Sequence, residues 1–504
     1  MVAILFGREY EAFCQSMSQI KTIAEIFVFV IIVCSTLLSI SAYHQENKKV
    51  ANASMDRKYA ESKSPSSSGP TLTDPNLKAE VIFSGLTYST DIAFLGKNDI
   101  LVIEKDSGIV RRIINNTMLP ESLLDVNVAT FGHRGMLGIA VSNIAQPSLP
   151  SLSSQFLNNQ AKNDSNKTSV TASSSPRYVF LYYTAIEGRD GDDIVHGRQP
   201  LGNVVYRYEL ADNRLIKPKL LLTLPATPGA IGNGGKILVS PYDNNLYITI
   251  GGVGIDGHKT KAQNVRNGVE PDGTSGILVI TQDGQQVTQN GILGSQDPLV
   301  KYYAYGIWNS FGIDFDPLTG KLWDTENGVI FGDEINLVEP GFNSGWNKID
   351  GIWLRGYAVE NTEAHEAPNK TDDLLVDFNG KGKYSPPEFT WFDDVGPTAI
   401  RFFDSDRMGK LYEDDVFVGD ILNGNIYHFE LNTQRTELLT EGKGPLSDKV
   451  VNSNEDTSDI IFGKGFGGIT DIEVGPQDGY LYVLTFNDTQ GTIFRIIANN
   501  SAAT

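Results

Sequence analysis

The feature that most constrains the fold of this chain is a pair of strands that recurs along it. From Tyr302 to Trp346 the sequence reads YYAYGIWNSFGIDFDPLTGKLWDTENGVIFGDEINLVEPGFNSGW. Apolar and polar residues alternate with period two, and Pro, Gly and Asn punctuate the runs, which marks strands joined by tight turns. The same plan recurs as DIAFLGKNDILVIEKDSG from Asp91, KILVSPYDNNLYITIGG from Lys236 and DIEVGPQDGYLYVLTFND from Asp471. Less regular copies begin at Met136 (MLGIAVSN, resumed as YVFLYYTAI from Tyr178) and at Ala399 (AIRFFDSDRMGKLYEDDVFVGDILNGNIYHFEL). Six repeats of three or four antiparallel strands predict an all-β, six-bladed β-propeller. A single blade cannot bury both of its apolar faces, whereas a closed ring buries them and leaves only short edges. The expected propeller spans residues 81–498, with a polar, low-complexity insertion at 145–177 read as disordered.

The N-terminal region reads differently. Residues 1–22 form a leading segment, residues 23–43 a transmembrane helix or signal sequence, and residues 44–80 a polar, disordered linker centred on SKSPSSSGP. The uncharged run Ile26–Ala42 is just short of the roughly 20 residues that span a bilayer. Ser39, Ser41 and Ala42 are candidate cleavage positions if it is a signal peptide, but the long stretch ahead of Lys21 favours an anchor. Arg8 and Lys21 precede the run while Lys48, Lys49, Arg57 and Lys58 follow it, a count that leans toward a cytoplasmic C-terminus. Against this stand Asn-x-Ser/Thr triplets at Asn52, Asn115, Asn163, Asn166, Asn369 and Asn487, which are acceptors only outside the cytoplasm. The two cysteines, Cys14 and Cys34, both lie in this region, so the propeller has no disulfide or thiol chemistry. A net charge of −20 argues against nucleic acid as a partner.

Chemistry in a propeller belongs to the loops that one face gathers around the axis. Four such stretches carry a resemblance: GHRGMLGIA at Gly132, GNGGKILVSPYDNNLYITIGG at Gly232, YAYGIWNSFGIDFDPLTGKLWDTENG at Tyr303 and DEINLVEPGFNSGW at Asp333. Together they resemble the soluble quinoprotein glucose/aldose sugar dehydrogenases, the glucose/sorbosone dehydrogenase domain. That resemblance implies a six-bladed propeller, oxidation of the anomeric C–OH of sugars with pyrroloquinoline quinone (PQQ), Ca²⁺, an external electron acceptor and an exported domain. The protein is then expected at the cell membrane, single-pass with its C-terminal domain extracellular, or secreted if the segment is cleaved.

The resemblance also implies site residues, with departures. Gly232 stands where the family carries its catalytic histidine. His133 is the candidate substitute base, with a pKa near neutrality; a plain turn histidine is the alternative. PQQ bears three carboxylates, which the family holds with Lys and Arg. The corresponding positions here are Trp308 before the retained Asn309, Asp404 or a neighbour, and Asn423, with Arg134, Lys236 and Arg401 as candidate replacements. The implied calcium ligands are the Gly328 and Val329 carbonyls, and Asp333, Glu334 and the Ser344 carbonyl, oxygens that suit a hard cation; Asp333 and Glu334 could instead accept turn N–H groups. Trp391, or Phe392 beside it, is the implied aromatic over the sugar, with core packing as the alternative. Asp324, Glu326 and Asp420 are further acid/base or metal candidates. The glycines of GGVGIDG at Gly251 miss the dinucleotide-binding spacing, and no hydrolase triad or zinc spacing is present. Two functions follow: a membrane-tethered PQQ-dependent sugar dehydrogenase, or a propeller of the same family without redox chemistry that binds a glycan or protein at the cell surface.

Overall fold

The structure, a computed structural model, describes residues 69–142 and 177–499 apart from 256–257, 356–364, 369–370, 372, 441, 443 and 453–456. The segment at 23–43, most of the linker and nearly all of the 145–177 insertion therefore lie outside the described residues. No helix among the described residues is long and apolar enough to cross a membrane.

The chain is an all-β propeller. The repeats lie on separate sheets, antiparallel through their leading strands and extended in places by short parallel strands. The first strand of each stands at an edge of its sheet: Ser89–Gly96, Met136–Val141, Ile237–Val239, Ser310–Phe315, Pro397–Phe402 and Gly468–Val474. These first strands pack side by side in succession, and Gly468–Val474 returns to Ser89–Gly96. Apolar residues from facing sheets fill the space between them. Trp323, Ile335, Phe389, Ile400, Val418 and Tyr427, for example, form one such layer.

The ring is closed by the N-terminal edge. Leu77–Leu86 pairs antiparallel with Gly491–Ala498, and Thr71–Leu72 pairs with Ile461–Lys464. This corrects the expected linker boundary at residue 80: the chain is already in strands from Thr71. Leu77, Ile82 and Leu86 are buried in these edges, and their spacing in a polar stretch is too sparse to read as a core strand.

Antiparallel order places two sets of loops at the same end of the propeller. One set leads into the first strands and carries His133, Gly232, Trp308 and Asn309; the other joins second to third strands and carries Gly328 and Asn423. Arg401 lies near the far end of its strand, toward the opposite mouth.

Candidate functional site

The loops bring His133 to Gly232, a contact across 99 residues. The Gly232 N–H donates to His133 Nδ1 at 3.1 Å, and Asn309 Nδ2 approaches the same nitrogen at 3.5 Å. Asn309 is itself fixed by the Gly234 N–H donating to its Oδ1 at 3.1 Å. The ring of His133 stands edge-on to Phe311 with centroids 5.9 Å apart. Burial, and then the charge of Lys105, push the imidazole down to about 3. The expectation of a near-neutral pKa is thus corrected, because a cation is disfavoured here on both counts. With Nδ1 accepting, the ring proton sits on Nε2.

Trp308 is 2% exposed. Its ring lies 4.4 Å from that of Trp346, which in turn carries the Arg355 guanidinium 4.0 Å above it. A Cβ on Gly232 would stand 3.1 Å from Trp308 Cη2, and one on Gly252 would stand 2.9 Å from Cε3. The indole thus fills the space beside the glycines at the position of the implied base.

The cations proposed as replacements are committed elsewhere. Arg134 pairs with Asp193 at 3.2 Å and donates to the Ala226 carbonyl at 2.9 Å. Lys236 bridges Asp91 at 2.8 Å and Asp471 at 2.7 Å. Arg401 pairs with Glu473 at 3.0 Å and Asp314 at 3.4 Å. Burial alone would lower both of these basic pKa values, but the surrounding carboxyls outweigh it and hold them raised. Lys105, which the sequence reading missed, lies close enough to depress His133, yet it pairs with Asp106 at 2.7 Å. Its place directly after the second strand of the first repeat was the available signal. Asp404 is exposed and lines a hollow of about 410 Å³ at the opposite mouth, together with Arg401 and Glu473. Asn423 serves a turn: its N–H donates to Asp420 Oδ1 at 2.6 Å, while Tyr427 donates to Oδ2 at 2.7 Å. Asp420 is thereby a turn carboxyl as well.

The implied calcium set divides in two. Adjacent strand residues point to opposite faces, so Asp333 and Glu334 cannot share one ion. Asp333 clamps a corner, accepting N–H groups from Gly328 at 2.8 Å, Val395 at 2.7 Å and Gly396 at 2.8 Å. That is the turn-holding alternative, and Gly328 belongs with it. Glu334 faces the other way. It accepts from Gly351 N–H at 2.6 Å and Asn336 at 3.0 Å, and the Ser344 hydroxyl lies 2.9 Å from one of its oxygens and 2.6 Å from Glu326. Glu326 also accepts the Trp308 N–H. Asp324 lies on the same sheet face, opposite Asn336 in register, fully buried and with neither oxygen well hydrogen-bonded among the described residues. Burial pushes Asp324 up to about 7 and Glu334 up to about 8, and together with the charges of those two neighbours it raises Glu326 as well.

Trp391 is 1% exposed, packed against Phe389 at 4.8 Å and Tyr427 at 5.2 Å. It is core, which corrects its assignment as a sugar platform. Phe392 is half-buried and stacks on Phe331 with centroids 5.7 Å apart.

The two implied groups fare differently against these residues. A hard cation suits Glu326, Glu334 and the Ser344 oxygen, where neighbouring carboxyls, not basic groups, surround the buried acids; among the described residues, however, no three acidic or histidine side chains already converge into a metal cage. The PQQ trianion does not suit its positions. The replacement cations are neutralised and an indole stands where the resemblance implies a guanidinium, so the charge of a trianion would be poorly offset there.

A ring of sheets with loops from several of them gathered at one end defines a β-propeller. The Glucose / Sorbosone dehydrogenase family profile matches residues 168–495, and the chain belongs to that family. It is 25% identical over 333 residues to the aldose sugar dehydrogenase YliI of Escherichia coli (strain K12), covering 64% of this chain and 74% of that one. The apo structure of the soluble aldose sugar dehydrogenase from Escherichia coli shares its fold with TM-score 0.58 at 19% identity, over 84% of this chain and 100% of that one. The PQQ-bound aldose sugar dehydrogenase of Streptomyces coelicolor superposes with TM-score 0.52 at 19% identity, over 85% and 100%.

Proposed function

We propose that this protein is a sugar-recognising propeller of the glucose/sorbosone dehydrogenase family that binds an uncharged aldose-type ligand at the His133 face without quinone chemistry. The observation that carries this reading is the commitment of Arg134, Lys236 and Arg401 to carboxyl partners. A trianion needs free cations, whereas a polyol needs only donors and acceptors. The family membership supports the sugar class. The reading further includes six blades, supported by the six first strands, and calcium held by Glu326, Glu334 and Ser344. It also includes an N-terminal anchor with the propeller outside the cell, supported by the apolar run and the Asn-x-Ser/Thr triplets.

A second reading, PQQ-dependent oxidation of the anomeric C–OH with transfer to an external acceptor, is favoured by the imidazole of His133 lying against Gly232, where the resemblance implies a base. Calorimetric titration of the purified protein, with calcium present, separates the two. Binding of aldoses with no binding of PQQ is expected. Micromolar PQQ binding with aldose-dependent dye reduction, lowered at least ~10²-fold by His133→Ala as for a lost base, would establish the second reading instead.

A further inference from the structure

The two departures at this face, glycine in place of a base and tryptophan in place of an arginine, stand 76 positions apart in the chain but occupy one volume. We infer that Trp308 and Gly232 are an interlocked pair: the indole closes the seat of the quinone, and it can do so only because residue 232 has no side chain. This deepens the reading that the protein works without quinone, and it names Trp308 as the residue that sets ligand class.

The packing on each side of the indole carries the argument. Trp308 Cη2 and Cζ3 lie 3.1 and 3.2 Å from the place a Gly232 Cβ would take, closer than ordinary contact. On Gly252 a Cβ would meet Cε3 and Cζ3 at 2.9 and 3.0 Å. The indole cannot swing away. Trp346 backs it at 4.4 Å, and Arg355, held over Trp346 at 4.0 Å, pairs with Asp350 at 3.4 Å. Its backbone is pinned as well, since the Gly252 N–H donates to the Trp308 carbonyl at 2.8 Å and the Trp308 N–H donates to Glu326. A histidine at 232 would therefore need a hole where the indole stands. Restoring the base without changing Trp308 is expected to harm the fold rather than rebuild the site.

Residue 232 also has φ of +72°, so any side chain there is strained whatever its neighbours. A double-mutant cycle removes that common term. Melting temperatures would be measured for the wild type, Gly232→His, Trp308→Arg and the double variant. The expected result is a fall of about 5 °C or more for Gly232→His alone, and less than half that fall when it is introduced beside Trp308→Arg. Additive shifts would overturn the interlock. If Gly232→His does not fold in either background, Gly252→Ala reads the same indole without a positive φ, and its cost should likewise shrink beside Trp308→Arg; an unchanged cost overturns the proposal. PQQ titration supplies the second readout. The double variant should bind PQQ at least tenfold more tightly than the wild type, and no gain would mean that Trp308 is not what closes the seat. Tight PQQ binding by the wild type itself would sink the quinone-free reading while leaving the melting cycle to judge the interlock separately.

Discussion

Two groups of buried acids lie near the propeller axis, and they have opposite partners. Around Lys236 and Arg401, the carboxyls of Asp91, Asp471, Glu473 and Asp314 share two cations and join the first strands of different sheets. Asp91 additionally accepts the Ile139 N–H at 2.9 Å, and Asp314 the Phe402 N–H at 2.8 Å, so the network stitches one sheet to the next. Around Ser344, by contrast, Glu326 and Glu334 are held by hydroxyl, amide and N–H donors with Asp324 beside them. Burial raises all three, as it raises Asp91, Asp314 and Glu473, but here no cation among the described residues opposes it. The same residue type therefore does two jobs. With cations it fastens the ring; without them it keeps protons that a divalent ion could displace.

Three experiments would break or sharpen this contrast. The largest effect is expected from Lys236→Met, which leaves Asp91 and Asp471 buried beside each other without their cation. Breaking a buried pair from one side typically costs about 3–5 kcal/mol, read as a lowered denaturation midpoint; an unchanged midpoint would remove the fastening role.

The second experiment concerns pH. Asp324 at about 7 and Glu334 at about 8 titrate above ordinary carboxyl values in the folded state. The stability they contribute is complete below about pH 4 and is lost as pH rises through their folded values. In calcium-free buffer the melting temperature should fall between about pH 5 and pH 8. The combined loss should be about 2–4 kcal/mol, since each tenfold change in proton affinity is worth about 1.4 kcal/mol and the neighbours are not independent. Asp324→Asn should flatten the slope. A flat wild-type profile would mean that these carboxyls do not hold protons in the folded protein.

The third effect is smaller and tests the division of the calcium set. At about pH 8, calcium at 100 times its dissociation constant should stabilise the protein by about 2.7 kcal/mol. Glu334→Gln should abolish that response, while Asp333→Asn should lower stability without altering it. Loss of the response in both variants would restore a single shared site.

The sequence made the strands legible because alternation and turn residues are local properties. Asp91 in DIAF and Asp471 in DIEV stand at equivalent places in their repeats, and Asp314 in GIDFD stands two residues further along its own. Their partners were not legible, since Lys236 and Arg401 come from other repeats and meet these acids only after closure. The resemblance led to the right loops but not to every role. Trp391 went into the core because its strand position faces the next sheet, and Asp333 parted from Glu334 because neighbours on a strand diverge. The contact of His133 with Gly232 joins loops of two different sheets, and no local pattern announces it.

The strand pairing at the chain's two ends sets a path for mechanical load. Any pull on the chain ahead of Thr71 reaches first the short bridge to Gly463 and Lys464, reinforced by the Thr73 N–H and hydroxyl on the Phe462 carbonyl at 2.9 and 3.1 Å. Behind it stands the seam between Leu77–Leu86 and Gly491–Ala498, whose pairs run from Leu77 with Ala498 to Leu86 with Gly491. The short bridge acts as a fuse that can part before the ring is strained. A fragment trimmed to begin at Val81 would lose both the fuse and the first four pairs of the seam, from Leu77 with Ala498 to Glu80 with Arg495, leaving an edge of the last sheet open to pairing with another chain.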